Sequence, residues 1–476
     1  MSIKKTVPLA LLFLCIFSIT LVSAQTNDEG MPFLQLNFLN PGARSLAMGG
    51  AFLGMADDAT AALANPAGLV ILTKPEVSLE FSATNYKNEV GWHAGTQTLE
   101  AERTADRLRF FNARNDLTSQ DFPATLKNIS FASFVYPLIK DRFVLSGFYN
   151  QQTDFQRNYT TTPIALVVDK VNGLPCASGC TSNYFATDSS LDLTIRNFGV
   201  SAGFKPVPAV SFGATLNISK LSLDHTTTRL DLLKQFRQDA GPLNIQSLNG
   251  DSTKASVSLG ALIKPADAFS FGIVYSRRPE FELTSSYVAV LVPGSENVQS
   301  QKFKVPDSFG FGVSYRFSES FAVNLDIDRI LYSQLNDGYY NAFFSPVVAP
   351  DSLLFTQPDF ERSSLEVDDG TEYRVGGEYL TAIGNYPFAI RAGYWREPFH
   401  SINSTQDDAS IEQVIDFNGN QLNDAIPFPW FSRSLRKNYN HVSFGTGLVL
   451  TRFTIDWAYD YSKNFKRFII STDLYF

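Results

Sequence analysis

Apolar and polar residues alternate along most of the chain, and the alternation is clearest near the C-terminus. From Phe453 to Tyr461 nearly every second residue is aromatic or aliphatic, and the residues between them include Thr454 and Asp456. Successive side chains of a β-strand point to opposite faces, so this pattern predicts strands with one oily face. The same pattern recurs across residues 309–328. It predicts an all-β chain.

Three features indicate that the oily face meets a membrane, since alternation alone would also suit a soluble sandwich. Many runs last about 10 residues or more, the length of a tilted bilayer crossing. Aromatic residues such as Tyr136, Tyr315 and Tyr379 stand near the ends of the oily faces, as an interfacial girdle requires. Connections alternate between short turns and long loops, which is the rule for outer-membrane barrels.

Counted from Pro75, these runs give about fourteen strands, an even number that returns the chain to the side where it began. We therefore predict a transmembrane antiparallel β-barrel of about fourteen strands. The predicted strands are residues 75–86, 126–137, 142–155, 190–205, 209–225, 253–264, 269–281, 303–317, 321–333, 367–380, 388–400, 436–450, 453–463 and 467–476.

One predicted strand, residues 190–205, changes phase. Its apolar positions are odd-numbered up to Ile195 and even-numbered from Phe198 onward. An extra residue would restore one oily face, so we expect a β-bulge near Arg196 and Asn197. The bulge is either an irregularity at the barrel rim or a local gap in the wall.

The start of the chain predicts export. A basic beginning, an apolar run and a small-residue cleavage site indicate a signal peptide at residues 1–24. The whole chain has a formal net charge of −8, which argues against nucleic acid as a partner and against a polybasic grip on lipid. No later window has the ~20 uninterrupted apolar residues of a membrane helix, so a membrane location requires a barrel.

A small, apolar and glycine-rich stretch precedes the first strand. Gly49 and Gly50 allow close approach of one backbone to another. Asp57 and Asp58 stand where a carboxylate would cap a short helix over residues 59–64. A segment this irregular and apolar must be enclosed by other parts of the chain, which hydrogen-bond its peptide groups.

The same stretch ends in Asn65, Pro66 and Ala67, and the residue before a proline is pushed out of the helical region. A barrel of this size is too wide for its own side chains to fill. We predict that residues 25–72, which we call the hatch, plug the lumen, and that residues 73–476 form the barrel with long outer loops.

Residues 42–69, GARSLAMGGAFLGMADDATAALANPAGL, resemble the N-terminal hatch of the OmpP1/FadL/TodX family of outer-membrane transporters of long-chain fatty acids and other hydrophobic compounds. Residues 305–328 are similar to later hairpins of that family. The family's Asn-Pro-Ala motif matches Asn65, Pro66 and Ala67.

The resemblance implies a monomeric barrel among outer-membrane lipids whose ligand is a fatty acid, a detergent, a lipid tail or another hydrophobic small molecule. It implies capture in an oily groove among the outer loops, a tighter site in the lumen, and release sideways beside the hatch. Because no energy source appears in the sequence, we expect passive transport. A branch of the same superfamily resembles shuttle components of type IX secretion, which is the alternative function.

Charged residues of the lumen-facing phase are candidate ligand contacts. Arg374 and Arg391 are positioned to meet a carboxylate head group, with Glu378 nearby in the same phase. The alternative is that these residues tether the barrel wall to the hatch, where Arg44 is the natural partner.

Two outer loops supply a candidate capture groove. Leu230, Leu233 and Phe236 fall on one face of a predicted helical turn over residues 229–237. Their predicted partners, in the next long loop, are Val288 and Leu291. The alternative is that these residues only pack the loops together.

Cys176 and Cys180 are the two cysteines left in the exported chain, and we expect them to form a disulfide in an oxidising compartment, with a metal pair as the alternative. We predict no cofactor apart from one possible structural calcium ion. Its candidate ligands, which have the spacing of an oxygen-ligand loop, are Asp416, Asn418, Asn420 and Asp424. The alternative is a solvated polar loop, because the EF-hand glycine and glutamate are lacking.

Catalysis is not expected. The sequence has no nucleophile elbow, and we identify no metal-ligand set beyond the candidates above. His441, Ser443 and Asp460 have the right chemistry, but Ser443 is predicted to lie in mid-barrel and face the hatch.

Overall fold

The computed structural model describes residues 36, 38–93, 95–103, 107–113, 117–161, 164–171, 174–175, 181–231, 241–290, 294, 296–336, 340–343, 346–349, 352–355, 359–362, 365–400, 403–404, 412–416 and 438–476. Within these residues, fourteen long antiparallel strands close into a barrel. They are β1 Glu76–His93, β2 Leu117–Ile139, β3 Phe143–Thr160, β4 Thr181–Val207, β5 Val210–Asp231, β6 Pro242–Ala266, β7 Phe269–Arg277, β8 Ser308–Ser318, β9 Phe321–Ile330, β10 Gly370–Ile383, β11 Tyr386–Glu397, β12 Tyr439–Val449, β13 Phe453–Tyr461 and β14 Phe465–Tyr475.

The barrel closes where the first strand meets the last. Strand β1 pairs with β14 from Glu76 opposite Tyr475 to Tyr86 opposite Phe465. Each strand predicted from the alternation has its counterpart in this order, so the predicted fold is confirmed. None of the helices in the described ranges is long and apolar enough to cross a membrane.

Shorter strands lie in the long connections, opposite the tight turns. They are Gly95–Arg103, Arg107–Ala113, Ile164–Val171, Leu174–Pro175, Glu280–Ala289, Asn297–Lys304, Tyr340–Phe343, Pro346–Ala349, Ser352–Phe355, Asp359–Arg362, Leu365–Glu366, Asn403–Ser404 and Glu412–Asp416, and a 3₁₀ helix spans Tyr332–Asn336. The helical turn predicted for residues 229–237 is wrong at its start, because β5 continues as strand through Asp231.

The phase change predicted in β4 does not exist. Leu191, Leu193 and Ile195 point into the lumen and are buried, whereas Phe198 and Val200 are 54% and 61% exposed on the outer face. The odd-numbered residues therefore face inward along the whole strand. The alternation gave a wrong prediction here because the lumen is also apolar at this height. Leu191, Leu193 and Ile195 belong to a buried apolar cluster inside the barrel.

A bulge does occur at this level, but in the neighbouring strand. The pairing of β3 with β4 shifts between Gln151 and Thr153, opposite Arg196 and Ile195, so the extra residue is Gln152. The Gln151 side chain holds the bulge, since its Nε2 donates to the Thr153 carbonyl oxygen at 3.1 Å. The predicted bulge at Arg196 and Asn197 was thus assigned to the wrong member of the pair.

The described part of the hatch, Leu36 and residues 38–72, lies inside the barrel. It contains helix α1 (Ala43–Ala47), helix α2 (Ala61–Ala64) and a 3₁₀ helix, η1 (Pro66–Ile71). Helix α2 is shorter than predicted because Asp58 Oδ1 accepts from the Thr60 backbone amide at 2.9 Å and holds a turn before it. Asp57 does not cap the helix; it pairs with Arg44.

The hatch backbone comes unusually close to the wall. A Cβ at Gly213 of β5 would lie 2.2 Å from the Pro66 carbonyl carbon, and one at Gly393 of β11 would lie 2.1 Å from the Gly49 nitrogen. Only glycine fits at such positions. Gly49 and Gly50 also have positive φ angles of 68° and 77°, so the hatch turn itself requires glycine there.

Candidate functional site

The Asn-Pro-Ala motif docks the hatch against β5 and β6. Asn65 is fully buried, and its Nδ2 donates to the Leu53 carbonyl oxygen at 3.0 Å and to the Ala261 carbonyl oxygen at 3.2 Å. Its Oδ1 accepts from the Ala67 amide at 3.2 Å and so caps η1. The Ala67 carbonyl oxygen in turn accepts from Ser211 Oγ at 2.8 Å. The motif therefore joins the hatch to itself and to the wall.

Inward-facing side chains of the wall satisfy further peptide groups of the hatch. Asp326 Oδ2 accepts from the Phe52 and Leu53 amides at 2.6 and 2.9 Å. Ser201 and Thr215 each donate to the Ala62 carbonyl oxygen. These bonds replace the secondary structure that an irregular buried backbone lacks.

A row of ion pairs links the hatch to three barrel strands. Arg44 contacts Asp57 Oδ1 at 2.7 Å and Glu378 Oε1 at 2.9 Å. Glu378 also accepts from Arg391 Nε at 2.6 Å, and Arg391 is paired with Asp456. The predicted residues Arg44, Glu378 and Arg391 thus lie together, in the tethering arrangement.

Arg374 also has protein partners. It is paired with Glu372, and its Nη1 lies 3.5 Å from Asp328 Oδ2. The same side chain reaches the Gly50 carbonyl oxygen of the hatch at 3.5 Å. Both arginines proposed as head-group contacts are therefore engaged by carboxylates of the wall.

One carboxyl group of the hatch, that of Asp58, titrates unusually because it is out of water. Burial raises the pKa of Asp58 to about 6, although Arg44 and the Thr60 hydroxyl lower it in part. The carboxylates around Arg44 hold the pKa of its guanidinium well above the ordinary value in spite of burial, so it stays charged. Part of the negative charge under the hatch is consequently removable at mildly acid pH.

A cavity lies above the hatch, lined by residues of the hatch and by inward-facing residues of the wall. Leu46, Leu53 and Leu63 of the hatch form its floor. The wall on the side of β3, β4 and β5 carries amide side chains, and this part of the lining comprises Asn150, Gln151, Gln152, Asn197 and Asn217. The cavity therefore combines an apolar floor with a polar, uncharged side.

An apolar cluster joins the hatch to inward-facing residues of the wall and of the outer strands. Leu193, Leu221, Phe281 and Phe303 belong to it and are buried, together with Leu36 of the hatch. Buried apolar residues on the inner face of a barrel are unexpected in a water-filled pore. They suit an apolar solute.

The barrel wall is interrupted between β2 and β3. The backbone pairing of these strands runs from Ile139 opposite Phe143 to Phe131 opposite Asn150 and stops there. Beyond it β2 stays paired with β1 through residue 117, and β3 stays paired with β4 through residue 160. We call the facing stretches, residues 117–130 and 151–160, the seam.

Side chains close the seam where the described backbone pairing ends. Asn128 Nδ2 donates to Asp154 Oδ2 at 2.7 Å. Tyr86 of β1 reaches across, and its hydroxyl donates to the Gln156 carbonyl oxygen at 2.8 Å while it accepts from the Gln156 amide. The Tyr86 ring stacks on Phe155 with centroids 5.5 Å apart.

Sequence analysis missed both the seam and the amide side of the cavity. Neither has a periodic signature, because both depend on which strands pair and where pairing stops. Two adjacent glutamines in an otherwise alternating strand, Gln151 and Gln152, were the available signal.

Several predicted residues lie in or beside parts that the structure does not describe. Leu230 is in β5 and Val288 is in the strand Glu280–Ala289, with β6 pairing to both strands. Asp416 ends the strand Glu412–Asp416. The others lie outside the described residues and stay predictions, namely Leu233, Phe236, Leu291, Cys176, Cys180, Asn418, Asn420 and Asp424. Among the residues that are described, no group of three or more His, Cys, Asp or Glu side chains is arranged to hold a metal.

The histidine near Ser443 does not contact that serine. His441 Nδ1 lies 2.8 Å from Asp460 Oδ2, and its Nε2 lies 3.3 Å from Glu397 Oε2. Ser443 Oγ instead donates to the Ala47 carbonyl oxygen of the hatch at 3.5 Å. His441 thus lies between two carboxylates, and Ser443 contacts the hatch.

Comparison with solved structures places the fold among outer-membrane barrels. The chain is 13% identical to the Ralstonia pickettii toluene transporter TbuX, with a TM-score of 0.53 over 92% of this chain and 99% of that one. It is 14% identical to a Pseudomonas aeruginosa FadL homologue (TM-score 0.55; 93% and 98% covered) and 16% identical to the P. putida toluene transporter TodX (0.50; 92% and 99%). No curated protein sequence matches this chain significantly.

The sequence model of one family covers most of the chain. The family is described as outer membrane protein transport protein (OMPP1/FadL/TodX), and its model matches residues 19–411. The match includes the hatch and the β2–β3 seam. This chain therefore belongs to the OMPP1/FadL/TodX family and is an outer-membrane β-barrel protein.

Proposed function

We propose that this protein carries hydrophobic small molecules, long-chain fatty acids or others, passively across the outer membrane. The outer loops capture the molecule, the lumen holds it in the cavity above the hatch, and it leaves sideways into the membrane. The observation that carries this proposal is the position of the cavity, between a floor bonded to the wall and a wall whose backbone pairing stops beside the cavity.

Passage through the hatch is obstructed by many contacts between the hatch and the barrel wall. The hatch backbone lies against wall glycines such as Gly213, and wall side chains such as Asp326 bond its peptide groups. A molecule that passed through the floor would have to break these contacts together. Sideways passage leaves them intact.

The outer face of the barrel wall beside the seam is exposed to lipid. Ile129 of β2, beside the lower end of the seam, is half exposed on the outer face, and Phe198 lies at the same level on β4. Tyr149 of β3 packs against Phe198 with ring centroids 5.4 Å apart. Because each methylene gains about 0.8 kcal/mol on leaving water, an apolar solute needs no energy source to pass from water, by way of the cavity, into the bilayer.

Family membership and the solved relatives support the ligand class. TbuX and TodX are toluene transporters, and we extend hydrophobic small molecules as a ligand class from them to this chain. The leucines that line the cavity, Leu46, Leu53 and Leu63, fit such molecules better than they fit hydrated ions. We propose that the protein is a monomer, because a single closed barrel contains the hatch, the cavity and the seam.

A reversible cross-link across the seam tests the proposal. In a background with Cys176 and Cys180 replaced by serine, Asn128→Cys and Asp154→Cys would be joined by a short bis-methanethiosulfonate reagent. We expect uptake of a hydrophobic probe by cells to fall about tenfold or more, to return after reduction, and bound probe to remain detectable by native mass spectrometry.

The matched control is Gln156→Cys with Asp192→Cys, joined in the same way. These residues face each other across the unbroken β3–β4 pairing, so their cross-link should leave uptake unchanged. Normal uptake through a cross-linked seam would rule out sideways release. A lumen without probe, together with a protein partner on the outer loops, would favour the shuttle function.

A further inference from the structure

Three amide side chains beside the cavity form an incomplete hydrogen-bond network. Asn197 Nδ2 donates to Gln152 Oε1 at 2.9 Å. Within the described residues, Gln152 Nε2, Asn197 Oδ1 and Asn217 Oδ1 are buried and have no hydrogen-bond partner. One donor and two acceptors are thus left over at one place.

These atoms lie together because of the pairing of β3, β4 and β5. Asn197 is opposite Ser219 and Gly199 is opposite Asn217 across β4 and β5, while Gln152 is the extra residue of the β3 bulge. A Cβ at Gly199 would lie 2.8 Å from Asn217 Oδ1, so the glycine leaves room for this amide. All three amide residues line the cavity.

A polar atom that is buried without a partner destabilises the protein by about as much as two ordinary hydrogen bonds stabilise it. Most buried polar atoms in native folds are bonded, and here three unpartnered atoms belong to residues that line the same cavity. A group that both donates and accepts would satisfy the donor of Gln152 and an acceptor of Asn197 or Asn217 at once.

Three of the four arginines that line the cavity, Arg278, Arg374 and Arg467, already have hydrogen-bond partners in the protein. Arg374 is paired with Glu372 and lies near Asp328, so a carboxylate head group would compete with wall carboxylates. Arg278 Nη1 donates to the Pro306 carbonyl oxygen at 2.7 Å and to Ser308 Oγ at 2.9 Å.

We infer that the cavity selects neutral amphiphiles whose polar end both donates and accepts hydrogen bonds, such as alcohols or primary amides, over fatty-acid anions. The polar end lies against Gln152, Asn197 and Asn217, and the apolar part lies on Leu53 and Leu63 of the hatch. The inference rests on the proposed function and narrows its ligand class.

Three ligands of equal chain length test this inference on the full-length barrel in amphipol. They are 1-decanol, decyl methyl ether, which accepts but does not donate, and decanoate at pH 8, where it is an anion. Bound ligand is measured after equilibrium dialysis against protein-free amphipol. We expect decanol to bind about fivefold more tightly than the ether, as one added hydrogen bond implies, and about tenfold more tightly than decanoate.

Substitution of the two acceptors should remove the preference for the alcohol. In Asn197→Leu/Asn217→Leu the ratio of decanol to ether affinity should fall to about one, and each single variant should fall between. Asn324→Leu is the matched control, because Asn324 is equally buried but contacts Met48 of the hatch and not the cavity. Its ratio should stay at about five.

The outcomes separate this inference from the proposed function. Binding of none of the three ligands would contradict the proposed function itself. Equal binding of alcohol and ether, as would follow if water alone satisfied the amides, would overturn the inference and leave transport standing. Tightest binding of decanoate would overturn it in favour of an anion site.

Discussion

The floor of the lumen and the seam in its wall are both closed, but by different numbers of contacts. The hatch is held by side chains from several strands of the wall, for example Asp326 and Ser201, which bond its peptide groups. The seam is held by the side chains of Asn128, Asp154 and Tyr86. A few side-chain contacts can break singly by rotation about χ angles, whereas release of the hatch requires many contacts to break together.

This difference indicates which part of the barrel opens first. Local stability varies within a fold, and elements that open for a ligand come from its weakly held parts. The hatch has many bonds from several strands, and the seam has few. We therefore expect the floor to stay docked while the seam opens.

The largest expected effect is loss of the central carboxylate of the hatch tether. Glu378→Gln would leave Arg44 and Arg391 buried with less opposite charge, at a cost to hatch docking of about 4 kcal/mol. Hydrogen exchange of the hatch residues 43–56, followed by mass spectrometry, should accelerate by two orders of magnitude or more. Exchange in the seam should change much less.

Its control is another glutamate that bonds a cation. Glu282→Gln removes the partner of Lys254 on the outer surface, where ion pairs contribute little. Hatch exchange in this variant should equal that of the wild type. If Glu378→Gln behaved in the same way, the floor would not be held by its ion pairs.

A smaller effect should follow from the pH. Because the pKa of Asp58 is raised from 3.8 to about 6 in the docked hatch, this carboxyl binds its proton more tightly when docked than when released. Its contribution to docking is therefore full below about pH 4 and is lost as the pH rises through 6, by on the order of 3 kcal/mol. Hatch exchange should be slower at pH 4.5 than at pH 7, after correction for the intrinsic exchange rate.

Asp58→Asn isolates this contribution, since an amide does not titrate. The variant should lose most of the pH dependence between 4 and 6 in the hatch peptides. Retention of the full dependence would assign the effect to other carboxyl groups of the lumen.

The smallest effect is expected at the seam. Tyr86→Phe removes the hydroxyl that bonds Gln156 but keeps the ring that stacks on Phe155. The seam should lose about 1 kcal/mol, so exchange of residues 151–160 should rise about fivefold while the hatch stays unchanged. Tyr475→Phe, which removes a hydroxyl near Thr454 in a continuous part of the sheet, is the control. Faster hatch exchange in Tyr86→Phe would mean that floor and seam open together.

The barrel strands were predictable because lipid imposes one rule on every outer face. Phe309 and Leu325 are exposed on that face, as their alternation with polar residues requires. The rule failed at Leu191 and Ile195, because the inner face is apolar there as well and alternation no longer identifies the side. The bulge was consequently predicted in β4 and found in β3.

The docking of the hatch was predictable only in outline. Its glycines and the Asn65-Pro66 pair indicated close packing, but the partners of its peptide groups come from residues hundreds of positions away. Asp326 accepts a hydrogen bond from the Phe52 amide because β9 places the Asp326 carboxylate at that level of the lumen. The spacing of residues along the chain does not contain this information.

The order of residues along the chain thus determined the strands, their number and the hatch, since each follows from local periodicity or from a backbone that needs glycine. Only the tertiary structure decided where the β2–β3 pairing stops, which carboxylates pair with Arg374 and Arg391, and which amide side chains lie together at the cavity. These depend on the pairing of strands that lie far apart in the sequence, and local periodicity does not specify that pairing.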